Sequence, residues 1–187
     1  MVHVLLFHHA QGITSGVEAF ADDLRAAGHQ VTVPDLFEGR TFATVEDGVA
    51  HAEELGFRTV IDRGVAVADP LPADLVYAGF SLGLLPAQYL AQQRSGARGV
   101  LLYHGAVPPT EFGGTWPAAV PAQIHLMEGD PWEELSQIER VAAELSAELF
   151  VYPGDRHLFI DRSSPDHDEA AALLAFDRSL AFLDRLG

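Results

Sequence analysis

Short apolar runs alternate with longer amphipathic stretches along nearly the whole chain. The short runs have the length of buried β-strands, which are predicted at residues 2–8, 30–34, 75–80, 99–103, 123–127 and 148–152. The longer stretches repeat apolar residues at helical spacing and predict helices at residues 14–27, 44–55, 57–68, 83–93, 133–145 and 165–186. Capping signals support two of these helices, since Thr44 precedes Asp47 by three positions and Gly28 follows the first helix.

Strands that alternate with helices indicate βαβ units and a mostly parallel sheet. Because the predicted strands show little polar alternation, helices should cover both faces of that sheet. We therefore expect an α/β fold: a three-layer α/β/α sandwich with about six strands, forming a single domain over residues 1–187. Residues 105–120 contain Pro108-Pro109 and Gly113-Gly114 and predict a long loop, a kind of segment that is often functional.

The amino-acid composition limits the kinds of molecule that the protein is expected to bind. The 187 residues carry a formal net charge of −16, which argues against a nucleic-acid-binding surface, since such surfaces need clustered basic residues. No apolar run is long enough to span a membrane, and the first residues lack the basic segment of a signal peptide. The chain has no cysteine, which excludes disulfides and thiolate metal sites. We expect a cytoplasmic monomer or homodimer that uses no cofactor.

The strongest chemical signal is the segment Gly79-Phe80-Ser81-Leu82-Gly83. The five-residue pattern is weak by itself, but here it lies between a predicted strand and a predicted helix, which is the context that a nucleophile elbow requires. The flanking glycines permit a sharp turn that projects the serine hydroxyl beyond the sheet edge where ligands bind in α/β proteins. Ser81 is therefore the candidate nucleophile.

A serine nucleophile needs a base, and the base needs an orienting acid. In this kind of fold the chain order is serine, then an acid, then histidine. Asp130 and His157 follow two later predicted strands, so both should meet Ser81 at the carboxyl edge of the sheet. Asp155 is nearer to His157 in sequence, but a residue two positions away seldom reaches the imidazole Nδ1, so Asp130 is the predicted acid. His167 is predicted to lie in a solvated cap region.

Other residues at this edge are candidates for the walls of a pocket. His104 ends a predicted strand, where it either lines the pocket or serves a structural role. The aromatic candidates are Phe37, Trp116, Trp132 and Phe159, with core packing as the alternative for each. A metal site is not predicted, because His8 and His9 are adjacent on a strand and point to opposite faces, and no metal-binding spacing accompanies them.

These motifs together resemble the dienelactone hydrolase family of α/β hydrolases, over almost the whole chain. The segment Val33-Pro34-Asp35-Leu36-Phe37 is similar to a motif that follows the family's second strand, and Gly79–Gly83 is similar to its elbow. Gly129-Asp130 and His157-Leu158-Phe159 resemble the acid loop and the His-x-Phe motif. The resemblance implies a reduced α/β-hydrolase fold with Ser81, Asp130 and His157 as the triad. It further implies that the backbone N–H groups of Ala10 and Leu82 form the oxyanion hole.

The sequence departs from the family's name-giving members at several positions. Those members have cysteine where this chain has Ser81, and a glutamate that communicates with the thiol where this chain has His9. They also hold a substrate carboxylate with arginines, one of which corresponds to Asp161, while the other falls in a stretch that is shortened here after Arg40. The resemblance therefore implies a serine variant of the family, with His9 in the site and without a clear carboxylate clamp.

The expected function is hydrolysis of a small ester or lactone through an acyl-serine intermediate. Two alternatives remain open. One is a thioesterase or acyltransferase that uses the same triad, and the other is a non-catalytic relative that binds a small molecule. Ester, lactone and thioester substrates distinguish the first alternative, and labelling of Ser81 by a fluorophosphonate probe distinguishes the second.

Overall fold

Six parallel strands form one sheet in the order β2-β1-β3-β4-β5-β6 in the computed structural model, which describes residues 1–187. The strands are β1 (His3–Phe7), β2 (Gln30–Thr32), β3 (Leu75–Phe80), β4 (Gly99–Tyr103), β5 (Ala122–Met127) and β6 (Glu148–Tyr152). Each strand pairs in parallel with its neighbours, so all six carboxyl ends lie at the same edge of the sheet. This edge carries the loops in which the candidate residues lie.

Six α-helices connect and cover the strands. They are α1 (Ser15–Ala26), α2 (Val45–Leu55), α3 (Phe57–Ala68), α4 (Leu84–Gln93), α5 (Leu135–Leu145) and α6 (Glu169–Leu186). Two short 3₁₀ turns, Ser81–Gly83 and Pro109–Phe112, lie between strands and helices. No helix has both the length and the apolar character that crossing a membrane requires.

Two apolar clusters cover the two faces of the sheet, because successive strand residues point to opposite sides. Leu5 and Phe7 of β1 belong to one cluster, which includes residues of α2, α3, α4 and α5. Val4 and Leu6 of the same strand belong to the other, which includes residues of α1 and α6. The predicted three-layer α/β/α sandwich with six strands is confirmed, and both sheet faces are buried, as the uninterrupted apolar strands indicated.

Threonine caps fix where two helices begin. Thr14 precedes α1 and its hydroxyl accepts a hydrogen bond from the N–H of Val17 at 3.2 Å. Thr44 precedes α2 and accepts from the N–H of Asp47 at 3.1 Å. The predicted cap at Thr44 is confirmed. The helix predicted from residue 14 begins at Ser15, because Thr14 has an extended backbone and acts as its N-cap.

The other differences in element bounds have local causes. The helix predicted from residue 133 begins at Leu135, because the Asp130 carboxylate and carbonyl hold the preceding residues in a turn. The helix predicted from residue 165 begins at Glu169, since Asp168 caps it by accepting from the N–H of Ala171. The remaining bounds agree with the prediction or shift by at most two residues, and the predicted loop at 105–120 contains the Pro109–Phe112 turn.

Candidate active site

The chain makes a sharp turn at Ser81, directly after β3. Ser81 has a φ of 47°, a left-handed conformation that is unfavourable for a residue with a side chain. Gly79 and Gly83 make room for the turn. A Cβ atom on Gly79 would collide with the backbone carbonyl of Gly83, and a Cβ atom on Gly83 would lie 2.5 Å from the carbonyl oxygen of Phe7 and 2.6 Å from that of His8. The two glycines are therefore required by backbone approach, and the turn lifts Ser81 out of the sheet.

Ser81, His157 and Asp130 form a continuous chain of hydrogen bonds. The Ser81 Oγ lies 2.7 Å from the His157 Nε2, and the His157 Nδ1 lies 2.9 Å and 2.8 Å from the two Asp130 carboxylate oxygens. Asp130 also accepts from the N–H of Trp132 at 2.9 Å, which orients the carboxylate. Asp155 is exposed and makes no hydrogen bond to His157. The imidazole can therefore accept a proton at Nε2 while Asp130 holds the N–H at Nδ1.

Two backbone amides were predicted to form an oxyanion hole. Leu82 directly follows Ser81 in the 3₁₀ turn, and Ala10 lies in the loop after β1. Ala10 is fully buried, and its N–H donates no hydrogen bond to another group of the chain. Buried backbone N–H groups without a partner are rare in proteins, so this amide has a free donor for a ligand atom.

The loop that carries Ala10 is joined to the loop that carries His157. The His9 Nε2 lies 2.7 Å from an Asp161 carboxylate oxygen, and both side chains are almost completely buried. Asp161 also accepts hydrogen bonds from Thr14 at 2.5 Å and from Ser163 at 2.6 Å. Burial by itself raises the pKa of Asp161, but the hydrogen bonds from His9, Ser163 and Thr14 outweigh it and hold the pKa well below its usual range. Asp161 is thus an ionised carboxylate with its hydrogen-bond partners in place.

Two rings pack beside the imidazole of His157. The Trp132 ring centroid is 5.8 Å from that of His157, and the tryptophan is 43% exposed, so one part of it faces solvent beside the three hydrogen-bonded residues. The His104 ring centroid is 5.5 Å from that of His157 and 5.0 Å from that of Phe159. Of the predicted pocket residues, His104 and Trp132 therefore contact the proposed base directly, while Phe159 is fully buried behind His104.

His104 occupies an unusual environment. Its φ is 67°, its side chain is buried, and neither ring nitrogen has a hydrogen-bond partner in the protein. Burial, with a smaller contribution from the neighbouring His157, lowers the pKa of His104 well below its usual value. The ring is therefore uncharged at neutral pH and packs against His157 as a neutral aromatic group.

The structure places one predicted pocket residue, Phe37, in the apolar core and packs another, the half-buried Trp116, against it. Phe37 is 1% exposed, and its ring packs against those of His8, Phe42 and His51. Trp116 packs against the same apolar cluster and donates from its indole N–H to a backbone carbonyl at 2.8 Å. Neither ring has an aromatic contact with His157, unlike Trp132 and His104.

Two other buried histidines, His8 and His125, have structural partners. His8 lies 2.7 Å from the carbonyl of His9 and accepts from the N–H of Leu36, and burial lowers its pKa to about 4. His125 lies between Tyr152 and Gln123, and burial lowers its pKa to about 3. No group of three or more histidine, cysteine or acidic side chains is arranged to hold a metal ion.

Glu133 is a residue that the sequence motifs did not single out, although it follows Asp130 by three positions. Its carboxyl lies against Gly105 and makes no hydrogen bond to the chain. Burial, together with the negative charge of Asp130, raises the pKa of Glu133 to about 8. The group is thus mainly protonated at neutral pH, beside the loop that follows β4.

The raised pKa of Glu133 predicts a pH-dependent stability. The folded protein binds the proton more tightly than the unfolded chain, so its contribution to stability is present below about pH 4.5 and is lost as the pH rises through about 8. Glutamine stays neutral at both pH values. We therefore expect the free energy of unfolding of Glu133→Gln, relative to that of the wild type, to increase by ~1–3 kcal/mol when the pH is raised from 5 to 9. Urea unfolding at both pH values measures this difference.

The exposed neighbour Glu134 is the matched control for that experiment. Glu134→Gln should change the free energy of unfolding equally at pH 5 and pH 9. An equal change at the two pH values for Glu133→Gln would contradict the prediction.

Two clefts lie away from the three hydrogen-bonded residues. One, of about 640 Å³, lies between α1 and α6 and includes Phe20 and Phe176. The other, of about 740 Å³, lies between α3, α4 and the Pro109–Phe112 turn and includes Leu85, four residues after Ser81. Neither is lined by Ser81, Asp130 or His157.

Solved structures define the class of protein to which this fold belongs. A candidate hydrolase of the alpha/beta superfamily from Xanthomonas campestris pv. campestris is 26% identical, with a TM-score of 0.67 over 97% of this chain and 99% of that one. A candidate dienelactone hydrolase from Klebsiella pneumoniae is 16% identical, with a TM-score of 0.76 over 97% and 86%. The thioesterase domain from the curacin biosynthetic pathway is 15% identical, with a TM-score of 0.64 over 96% and 90%. The fold is that of the α/β hydrolases.

The model of the dienelactone hydrolase family matches residues 1–187. The chain therefore belongs to the dienelactone hydrolase family, which confirms the resemblance seen in the motifs and supports hydrolase activity. Among curated proteins, no sequence matches this chain.

Proposed function

We propose that this protein is a serine hydrolase that cleaves a small, uncharged ester or lactone. The observation that carries the proposal is the hydrogen-bonded chain from Ser81 through His157 to Asp130. The serine lies on a strained turn at the carboxyl edge of a parallel sheet, where ligands bind in α/β folds. The membership of a hydrolase family supports the same conclusion.

The proposed reaction transfers an acyl group to serine and then to water. The Ser81 Oγ attacks the carbonyl carbon while its proton moves to the His157 Nε2. The amides of Ala10 and Leu82 donate to the oxyanion of the tetrahedral intermediate. The intermediate collapses, the alcohol leaves with the proton from His157, and an acyl-serine remains. Water then attacks the acyl-serine while His157 accepts its proton. His157 returns that proton to the Ser81 Oγ as the serine oxygen leaves and the carboxylic acid is released.

Charges near the site favour a neutral substrate. Asp161 is ionised and bound to His9, so the position at which name-giving family members hold a substrate carboxylate is occupied by a carboxylate here. The chain as a whole also has a formal net charge of −16. Each of these charges opposes an anionic substrate and none opposes a neutral one.

A fluorophosphonate probe tests whether Ser81 is the nucleophile. We expect stoichiometric labelling that mass spectrometry locates at Ser81, together with hydrolysis of p-nitrophenyl acetate. The same protein is assayed with γ- and δ-lactones, an acyl-thioester, and an ester that carries a free carboxylate. A folded protein that neither labels nor hydrolyses any of these would exclude the enzyme and favour a binding protein. A kcat/KM for the thioester ~10-fold above that of the matched ester would favour a thioesterase.

A further inference from the structure

We propose that His9 and Asp161 are positioning residues that hold the Ala10 amide in place as an oxyanion donor. Their hydrogen bond joins the loop after β1 to the loop that carries His157. The inference rests on the proposed function, because it concerns how the same site stabilises the tetrahedral intermediate. It assigns a role to a buried pair that takes no part in the proton transfer.

The imidazole of His9 connects the two residues on either side of Ala10. Its Nδ1 accepts a hydrogen bond from the N–H of Gln11 at 3.2 Å, so the ring closes over Ala10 from one side. A ring that accepts at Nδ1 carries its proton at Nε2, and that N–H donates to Asp161 at 2.7 Å. The ring is 1% exposed and both of its nitrogens are used. The backbone on either side of Ala10 is therefore held, while the Ala10 N–H itself has no partner in the chain.

Asp161 provides the fixed end of this arrangement. It follows His157 by four residues, and its own N–H donates to the carbonyl of Leu158 at 3.0 Å. Its carboxylate accepts from His9, from the hydroxyl of Thr14, and from the N–H and hydroxyl of Ser163. With four hydrogen bonds and 5% exposure, the carboxylate has little freedom to move. The hydrogen bond between His9 and Asp161 thus holds the loop of the proposed base and the loop of the proposed oxyanion donor in a fixed position relative to each other.

The position of an oxyanion donor matters more in the transition state than in the ground state. The donor must lie about 2.7–3.1 Å from the oxygen as negative charge develops on it. A displacement of about 1 Å can cost ~10²-fold in rate. Because the substrate carbonyl carries little charge before attack, a displaced Ala10 amide should lower kcat and leave KM nearly unchanged.

Pairs of oxoesters and thionoesters with the same leaving group test this role. A thionoester places sulfur at the oxyanion position, and sulfur is a weak hydrogen-bond acceptor, so its turnover depends less on the amides. We expect His9→Phe to lower kcat for the oxoester by ~10²-fold, the effect typical of losing one oxyanion donor, with KM within ~3-fold. The ratio of oxoester to thionoester kcat/KM should fall at least ~10-fold.

Three further variants keep the test decisive. Asp161→Asn retains the shape and an acceptor oxygen but loses the charge, and it should lower the same ratio less than His9→Phe does. His125→Phe is the matched control, since it removes a buried histidine whose two nitrogens are also hydrogen-bonded, and it should leave the ratio unchanged. If His9→Phe fails to fold, Asp161→Asn and His9→Gln carry the test, since glutamine can still donate to Asp161 but cannot accept from Gln11 in the same way.

The outcomes separate this inference from the proposed function. Equal loss of oxoester and thionoester turnover in the His9 and Asp161 variants would overturn the positioning role and show a general structural one. A wild-type protein that neither labels at Ser81 nor turns over either ester would overturn the proposed function itself. A selective loss of oxoester turnover, with Ser81 still labelled by the fluorophosphonate, supports the inference.

Discussion

Ser81→Ala is expected to lower kcat for hydrolysis of p-nitrophenyl acetate by ~10⁴-fold or more, because neither Asp130 nor His157 can replace the serine in forming the proposed acyl-enzyme. The Ser81 Oγ is the atom at 2.7 Å from the His157 Nε2, and alanine has no atom to replace it. The residual rate should approach the small acceleration that the oxyanion amides and substrate binding supply. Steady-state kinetics with the purified variant measure the loss, and circular dichroism shows whether the variant is folded.

Ser136→Ala is the matched control for the nucleophile. Ser136 is exposed in the first turn of α5, and its hydroxyl contacts only the neighbouring Glu134. Its substitution should leave kcat within ~2-fold of the wild type and leave fluorophosphonate labelling intact. Ester hydrolysis by Ser81→Ala above one tenth of the wild-type rate would show that another group is the nucleophile.

Asp130→Asn is expected to lower kcat by ~10⁴-fold while the protein stays folded. The Asp130 carboxylate accepts the Nδ1–H of His157, which leaves Nε2 unprotonated and able to take the serine proton. The amide of asparagine can donate to Nδ1 instead, and this favours the tautomer that carries its proton at Nε2. That tautomer cannot act as the base. Steady-state kinetics at several pH values measure the loss.

Asp155→Asn is the control for the acid, since Asp155 is close to His157 in sequence but makes no hydrogen bond to it. It should retain at least half of the wild-type kcat. The double variant Ser81→Ala, Asp130→Asn should be no slower than Ser81→Ala alone, because triad members act as a unit. Additive losses in the double variant, or a larger loss for Asp155→Asn than for Asp130→Asn, would contradict the assignment of the acid.

Much of the fold could be predicted because local patterns and long-range packing agree. The strand from Leu75 to Phe80 is apolar throughout, and the structure buries every one of its residues between two helix layers. Where local hydrogen bonds compete with helix formation, as at Asp130 and Asp168, the predicted helix began too early. Such side-chain hydrogen bonds depend on a few atoms, and periodicity does not report them.

The residues of the candidate site could likewise be predicted only in part. Ser81, Asp130 and His157 follow strands whose order and direction put their ends at one sheet edge, so the sequence indicated that they should meet. Phe37 and Trp116 also follow from the sequence as aromatic candidates, but the structure packs both against the apolar core. A sequence reports the apolar character of a ring, and whether the ring meets a ligand or the core depends on the elements around it.

The sequence by itself determined the α/β class, the strained serine turn and the residues able to act as nucleophile, acid and base, because these depend on periodicity, on glycine spacing and on residue chemistry. Only the tertiary structure decided that His9 reaches Asp161 across 152 positions. It also decided that Glu133 lies partly buried beside Gly105 and that the Ala10 amide remains free. The physical reason is that hydrogen bonding and desolvation depend on distances of a few ångströms between segments remote in sequence, and such distances exist only after the sheet and its two helix layers have packed.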